Sequence, residues 1–94
     1  MQIIDIQTTK SCLNKSAVKI VTVNESITRN TLKLFRQFGD LQVYELMNPL
    51  FIVRNPNHWE IKGLLNDRKI KVTLYKDEWA EILIKFMRLF SSAF

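Results

Sequence analysis

His58 is the one histidine of the 94-residue chain, and Glu60 follows it by two positions. In an extended run that spacing puts an imidazole and a carboxylate on one face, the minimum for a proton-transfer pair. Cys12, the lone cysteine, adds a thiol that the fold could bring to His58 as a nucleophile–base dyad. Each has a plainer reading. The segment Arg54-Asn55-Pro56-Asn57-His58 looks like a turn with a solvated histidine, and a lone cysteine serves as a small apolar residue. One cysteine makes neither an internal disulfide nor a thiolate-rich zinc site. The nine carboxylates are scattered. Glu78 and Glu81 share a helix face, but in a first turn, where the helix dipole accounts for them. There is no nucleophile elbow or zinc-protease motif, and two glycines in the whole chain leave little for a backbone phosphate cradle. No catalytic residue, metal or cofactor is expected, and a non-enzymatic binding domain is the remaining reading.

The cations are more informative. Fourteen Lys and Arg against nine Asp and Glu give +5, a surface drawn to nucleic acid, anionic lipid or acidic protein. Arg29, Lys33 and Arg36 fall at i, i+4 and i+7, a stripe able to track phosphates or simply the solvated side of an amphipathic helix. A second group, Lys62, Arg68, Lys69, Lys71 and Lys76, surrounds the turn at 65–68 and the strand after it. With Thr73, Tyr75 and Tyr44 it combines cations with rings, the mixture by which single-stranded nucleic acid is held. The competing reading is that these lysines keep an exposed sheet soluble and unpaired. Lys62, Arg68, Lys69 and Lys71 are expected to meet phosphate, and Tyr75 to stack.

Turn signals fix the elements that must place these groups. Asn48-Pro49, Asn55-Pro56-Asn57 and Asn66-Asp67-Arg68 divide residues 41–76 into four short apolar runs. Strands are predicted at 41–47, 50–54, 58–64 and 69–75. In the last, Ile70, Val72 and Leu74 alternate with Lys71, Thr73 and Tyr75. In the third, Trp59 and Ile61 alternate with Glu60 and Lys62. Which set of the first strand points inward stays open. Residues 17–23, rich in β-branched side chains, read as a further strand, and 2–7 as a possible short one within a loose arm, 1–16. A helix is predicted from Glu25 to Phe38, capped by Asn24, with Ile27, Thr31, Leu34, Phe35 and Phe38 on its core face and Gly39 ending it in a left-handed conformation. A second helix follows, capped by Asp77. Trp79, Ile82, Leu83, Phe86 and Phe90 form its core stripe, and Trp59 and Trp79 are read as core anchors. Ala80, Ile84, Met87 and Leu89 widen its apolar arc beyond what one sheet face covers. Ile84, Met87, Leu89, Phe90 and Phe94 are therefore a candidate interface for a second copy or a protein partner, unless the first helix hides that flank.

The expected fold is one α+β domain over residues 1–94, a two-layer sandwich in the order β-α-β-β-β-β-α with two helices on one face of an antiparallel sheet. Over residues 17–91 this order resembles one repeat of the TATA-box-binding-protein-like fold, as in small uncharacterised archaeal proteins of that architecture. No family motif accompanies the topology. In that family the open sheet face grips a bent minor groove, so the resemblance implies a nucleic-acid-binding face, completed by a second copy in a homodimer. No stretch is long and apolar enough for a membrane span, and Met1–Asp5 lacks the basic start of a signal peptide. A cytoplasmic protein without membrane association is expected.

Overall fold

The computed structural model of the protein describes residues 1–9, 17–75 and 79–93, with Trp79 described in its backbone alone. Cys12, Lys76, Asp77, Glu78 and Phe94 lie outside the described residues, and with them the Cys12–His58 dyad, the Asp77 cap and residues 10–16 of the N-terminal arm. Among the described residues six strands and two helices follow one another: β1 (Ile3–Thr8), β2 (Ala17–Val23), α1 (Arg29–Phe35), β3 (Asp40–Tyr44), β4 (Leu50–Asn55), β5 (Trp59–Leu64), β6 (Lys69–Leu74) and α2 (Trp79–Ala93). The strands form one antiparallel sheet in the order β1-β2-β6-β5-β4-β3. Both helices join one core cluster with one face of it, the expected α+β sandwich.

Alternation decides which face is covered. Leu41, Val43, Phe51, Val53, Trp59, Ile61, Ile70, Val72, Val21 and Val23 point toward the helices and belong to the core or pack against it. The open question in β3 resolves with Leu41 and Val43 inward and Tyr44 outward. Each fully buried side chain of this kind stabilises the fold by about 1.5–3 kcal/mol. Phe38 is the hub. Its ring lies 5.5 Å from that of Phe35, 6.2 Å from Trp59, 5.4 Å from Phe86 and 6.3 Å from Phe90. Its carbonyl accepts a hydrogen bond from Trp59 Nε1 at 2.9 Å, so the indole enters the core with its polar atom satisfied. Gly63 makes room for the same packing, since a Cβ there would sit 2.9 Å from the Phe51 ring.

The first helix departs from expectation. It begins at Arg29, four residues after Glu25, because the backbone before it is already committed. Ile27 N–H donates to the Asp67 carbonyl at 2.9 Å, and the Ile27 carbonyl accepts from Asn66 N–H at 2.8 Å. A residue bonded on both sides to the β5–β6 turn cannot also enter a helical ladder. Asn24, the expected cap, instead accepts from Gln2 N–H through its side chain at 2.8 Å. Thr28 is the cap: its hydroxyl accepts from Thr31 N–H, and Thr31 Oγ1 accepts from Thr28 N–H, a reciprocal capping box. The buried face is Leu32, Phe35 and Phe38; Leu34, expected inward, is exposed. The last turn, Arg36–Phe38, is a 3-10 helix. Gly39 follows at φ 157°, outside the left-handed helical well, where a Cβ would run into the Arg54 carbonyl oxygen. Glycine is thus required there by close approach to β4 as well as by its dihedral.

In α2, Ile82, Phe86 and Phe90 are buried, while Ile84 and Met87 remain exposed, so α1 does not hide the flank. No helix among the described residues is long and apolar enough to cross a membrane.

Candidate nucleic-acid interface

The face opposite the helices takes its character from β5 and β6. Because Ile61 and Val72 point inward, their neighbours Lys62 and Lys71 point out, and the register sets these two lysines directly opposite each other. The same register row continues to Ile52 and Gln42 on one side and to Ile20 on the other. Lys69 stands two residues before Lys71, beside Thr22 of β2. Lys62, Lys69 and Lys71 are all exposed. Among the described residues no carboxylate lies within 4.0 Å of any of the three ammonium groups. Like charges directly opposite one another on a sheet repel, so Lys62 and Lys71 concentrate positive charge at the centre of this face.

Arg68 and Tyr75 frame it. Arg68 occupies the β5–β6 turn, where Asp67 Oδ1 accepts from Arg68 N–H at 2.7 Å and Asn66 takes φ 67°. The Asp67 carboxylate is thereby engaged with the backbone of the turn. Tyr75 follows β6 on the same outward side, half-buried, with its hydroxyl donating to Glu60 Oε2 at 3.1 Å. Partial burial, then the Glu60 charge and this hydrogen bond, raise the phenol's pKa above the usual tyrosine value. Glu60 also faces Arg54 across the β4–β5 pair, with Arg54 Nε 3.9 Å from Oε1. The structure therefore brings Lys62, Lys69, Lys71 and Tyr75 onto one face, with Arg68 at its end. It also places there Arg54 and Glu60, which were not assigned to the site. Their pairing follows from the hairpin register across Asn55-Pro56-Asn57, the signal by which the sequence could have shown it. At one margin Tyr44 is exposed and donates to Gln42 Oε1 at 2.9 Å, beside half-buried Leu50 and exposed Leu64.

The other candidates separate. His58 and Glu60 do not form a pair: Glu60 serves the outward face, whereas the His58 ring turns to α2, with Nε2 3.4 Å from Lys85 Nζ. The β4–β5 turn takes His58 out of the strand, so the two-residue spacing no longer sets its direction. The helical stripe is broken as well. Arg29 holds Glu45 in a bidentate pair, Nη1–Oε1 2.8 Å and Nη2–Oε2 2.9 Å. This contact raises the Arg29 pKa and lowers that of Glu45. Lys33 and Arg36 stay exposed on the far side of the helical layer. Of the candidate interface on α2, Ile84 and Met87 are on the surface and Leu89 is half-buried against the core. Phe90 is 2% exposed and belongs to the core, where Phe38 and Phe86 enclose its ring, so it offers nothing to a partner. Among the described residues no group of three or more His, Cys, Asp and Glu side chains is placed to hold a metal ion.

No protein-family model, curated protein or solved structure matches this chain.

Proposed function

We propose that the protein is a non-enzymatic binding module whose lysine-bearing sheet face takes nucleic acid, single strands in particular. The observation that carries this reading is the Lys62–Lys71 pair: two exposed ammonium groups set opposite each other, with Lys69 beside them and no carboxylate in reach among the described residues. A strand of phosphates neutralises such a face and releases its own counterions in doing so. The half-buried ring of Tyr75 and the exposed ring of Tyr44 supply stacking surface at the margins. The β-α-β4-α order from Ala17 onward supports the reading as a likeness of topology, which by itself does not carry function.

The test is a salt titration against mixed-sequence single- and double-stranded oligonucleotides. Wild-type protein should bind single strands at low salt. Lys62→Gln with Lys71→Gln should weaken binding and flatten the plot of log affinity against log salt by about 1.4, at roughly 0.7 per lost phosphate contact. No binding at low salt, or an unchanged slope in the double variant, overturns the proposal.

A second reading, a protein-interaction subunit docking through α2, is favoured by one observation: Ile84 is 51% and Met87 40% exposed on the same helix. Sedimentation at micromolar concentration should then show self-association that Ile84→Ser with Met87→Ser abolishes. A wild-type protein that sediments as a monomer would retire the homodimer.

A further inference from the structure

On the opposite side of the molecule from the lysine face, the β4–β5 turn and α2 line an open cleft of about 460 Å³. Its lining includes Asn57 and His58 from the turn, and Ile84, Lys85 and Arg88 from two successive turns of the helix. We propose that this cleft is a binding site for a small organic anion, a phosphate monoester or carboxylate carried on an apolar body.

The hydrogen bonds of His58 show how the polar end is organised. Its Nδ1 lies 2.9 Å from the Asn57 carbonyl oxygen. A carbonyl only accepts, so Nδ1 carries the proton and the ring is held in one tautomer. Nε2 faces Lys85 Nζ, 3.4 Å away. The imidazole thus stands beside the Lys85 ammonium at the mouth of the cleft. Arg88 follows Lys85 by three residues on the helix, the spacing that puts two side chains on one face, and both are exposed. Together they present a point charge and a planar fork to one small volume, a combination suited to an anion with two or three oxygens. Glu81, four residues before Lys85, lines the same cleft and offsets one of the two charges. Ile84 and the edge of Ile82 give the rest of the wall an apolar surface. The volume falls within the range of small-ligand sites.

The single histidine of the chain makes the test direct, since its ring protons report on this cleft alone in a proton NMR spectrum. Phenyl phosphate, benzoate and inorganic phosphate are titrated separately. The first two should move the His58 signals saturably, and whichever binds more tightly identifies the headgroup. Inorganic phosphate should bind at least several-fold more weakly than phenyl phosphate, because it lacks the ring that Ile84 would cover. Lys85→Gln with Arg88→Gln, both surface changes, should reduce affinity for the organic anions about tenfold or more. Lys62→Gln with Lys71→Gln should leave these titrations unchanged, so failure on the sheet face is distinguishable from failure here. No saturable shift with either organic anion, or a shift undiminished in the Lys85/Arg88 variant, overturns the proposal. Equal affinity for inorganic and phenyl phosphate removes the apolar body from it.

Discussion

Tyr75 is where the chemistry of single residues can be measured most cleanly. Its hydroxyl is held by Glu60 beside a partly desolvated ring, and both effects favour the neutral phenol. The folded protein therefore keeps this proton to a higher pH than the unfolded chain, whose tyrosines titrate near about 10. The stabilisation that results is fully present below that unfolded value and is lost as pH rises through the folded one. An absorbance titration of tyrosinate should show a phenol ionising above the free-tyrosine range. Tyr75→Phe should remove that phase, and Glu60→Gln should move it down. A single unshifted transition in the wild-type protein would count against the Glu60 contact. Under the proposed function, a base would meet a Tyr75 ring whose hydroxyl is already tied to Glu60.

At the scale of elements, the short helix α1 depends on its ends. Seven residues give few intrahelical bonds against a costly nucleus, and the reciprocal Thr28–Thr31 cap satisfies donors at the start. Thr28→Ala should lower stability by about 1 kcal/mol, read as a shift in the urea midpoint at unchanged slope. An unchanged midpoint would mean that packing of Leu32, Phe35 and Phe38 alone sets the helix. This helix also shows what the residues could and could not foretell. The strand at 17–23 was legible, and the one expected at 69–75 ends one residue earlier, because both begin and end beside turn or polar residues. The helix start was not, because Asn24 and Glu25 satisfy every local rule for a cap. What overrides them is a long-range commitment, the Ile27 backbone bonded to Asn66 and Asp67, about forty residues away. Local propensity carries no trace of such a bond.

For the whole molecule, one face of the sheet and both helices share a core centred on Phe38, and the two outer surfaces differ in kind. On the sheet side the lysine cluster was readable, since alternation in two strands joined by a tight turn sets Lys62 against Lys71. On the helix side the companionship of His58 with Lys85 and Arg88 was not, because the angle at which a helix crosses a turn is set by core shape. His58 was marked for its chemistry and matched with the neighbour in sequence, Glu60, where the fold supplies a neighbour in space.

Lys19 sits on the helix-facing side of β2, 5% exposed, with its ammonium donating to Thr8 Oγ1 of β1 at 2.8 Å. β1 is an outer ribbon with an irregularity between Ile3 and Asp5, and apolar alternation cannot tell its native position from a slip of two residues. Such a slip toward Ile6 would trade that hydroxyl for an alkyl group and forfeit one hydrogen bond of the Lys19 ammonium. The bond from that ammonium therefore serves as an alignment mark, favouring the threading that hydrophobicity alone leaves open.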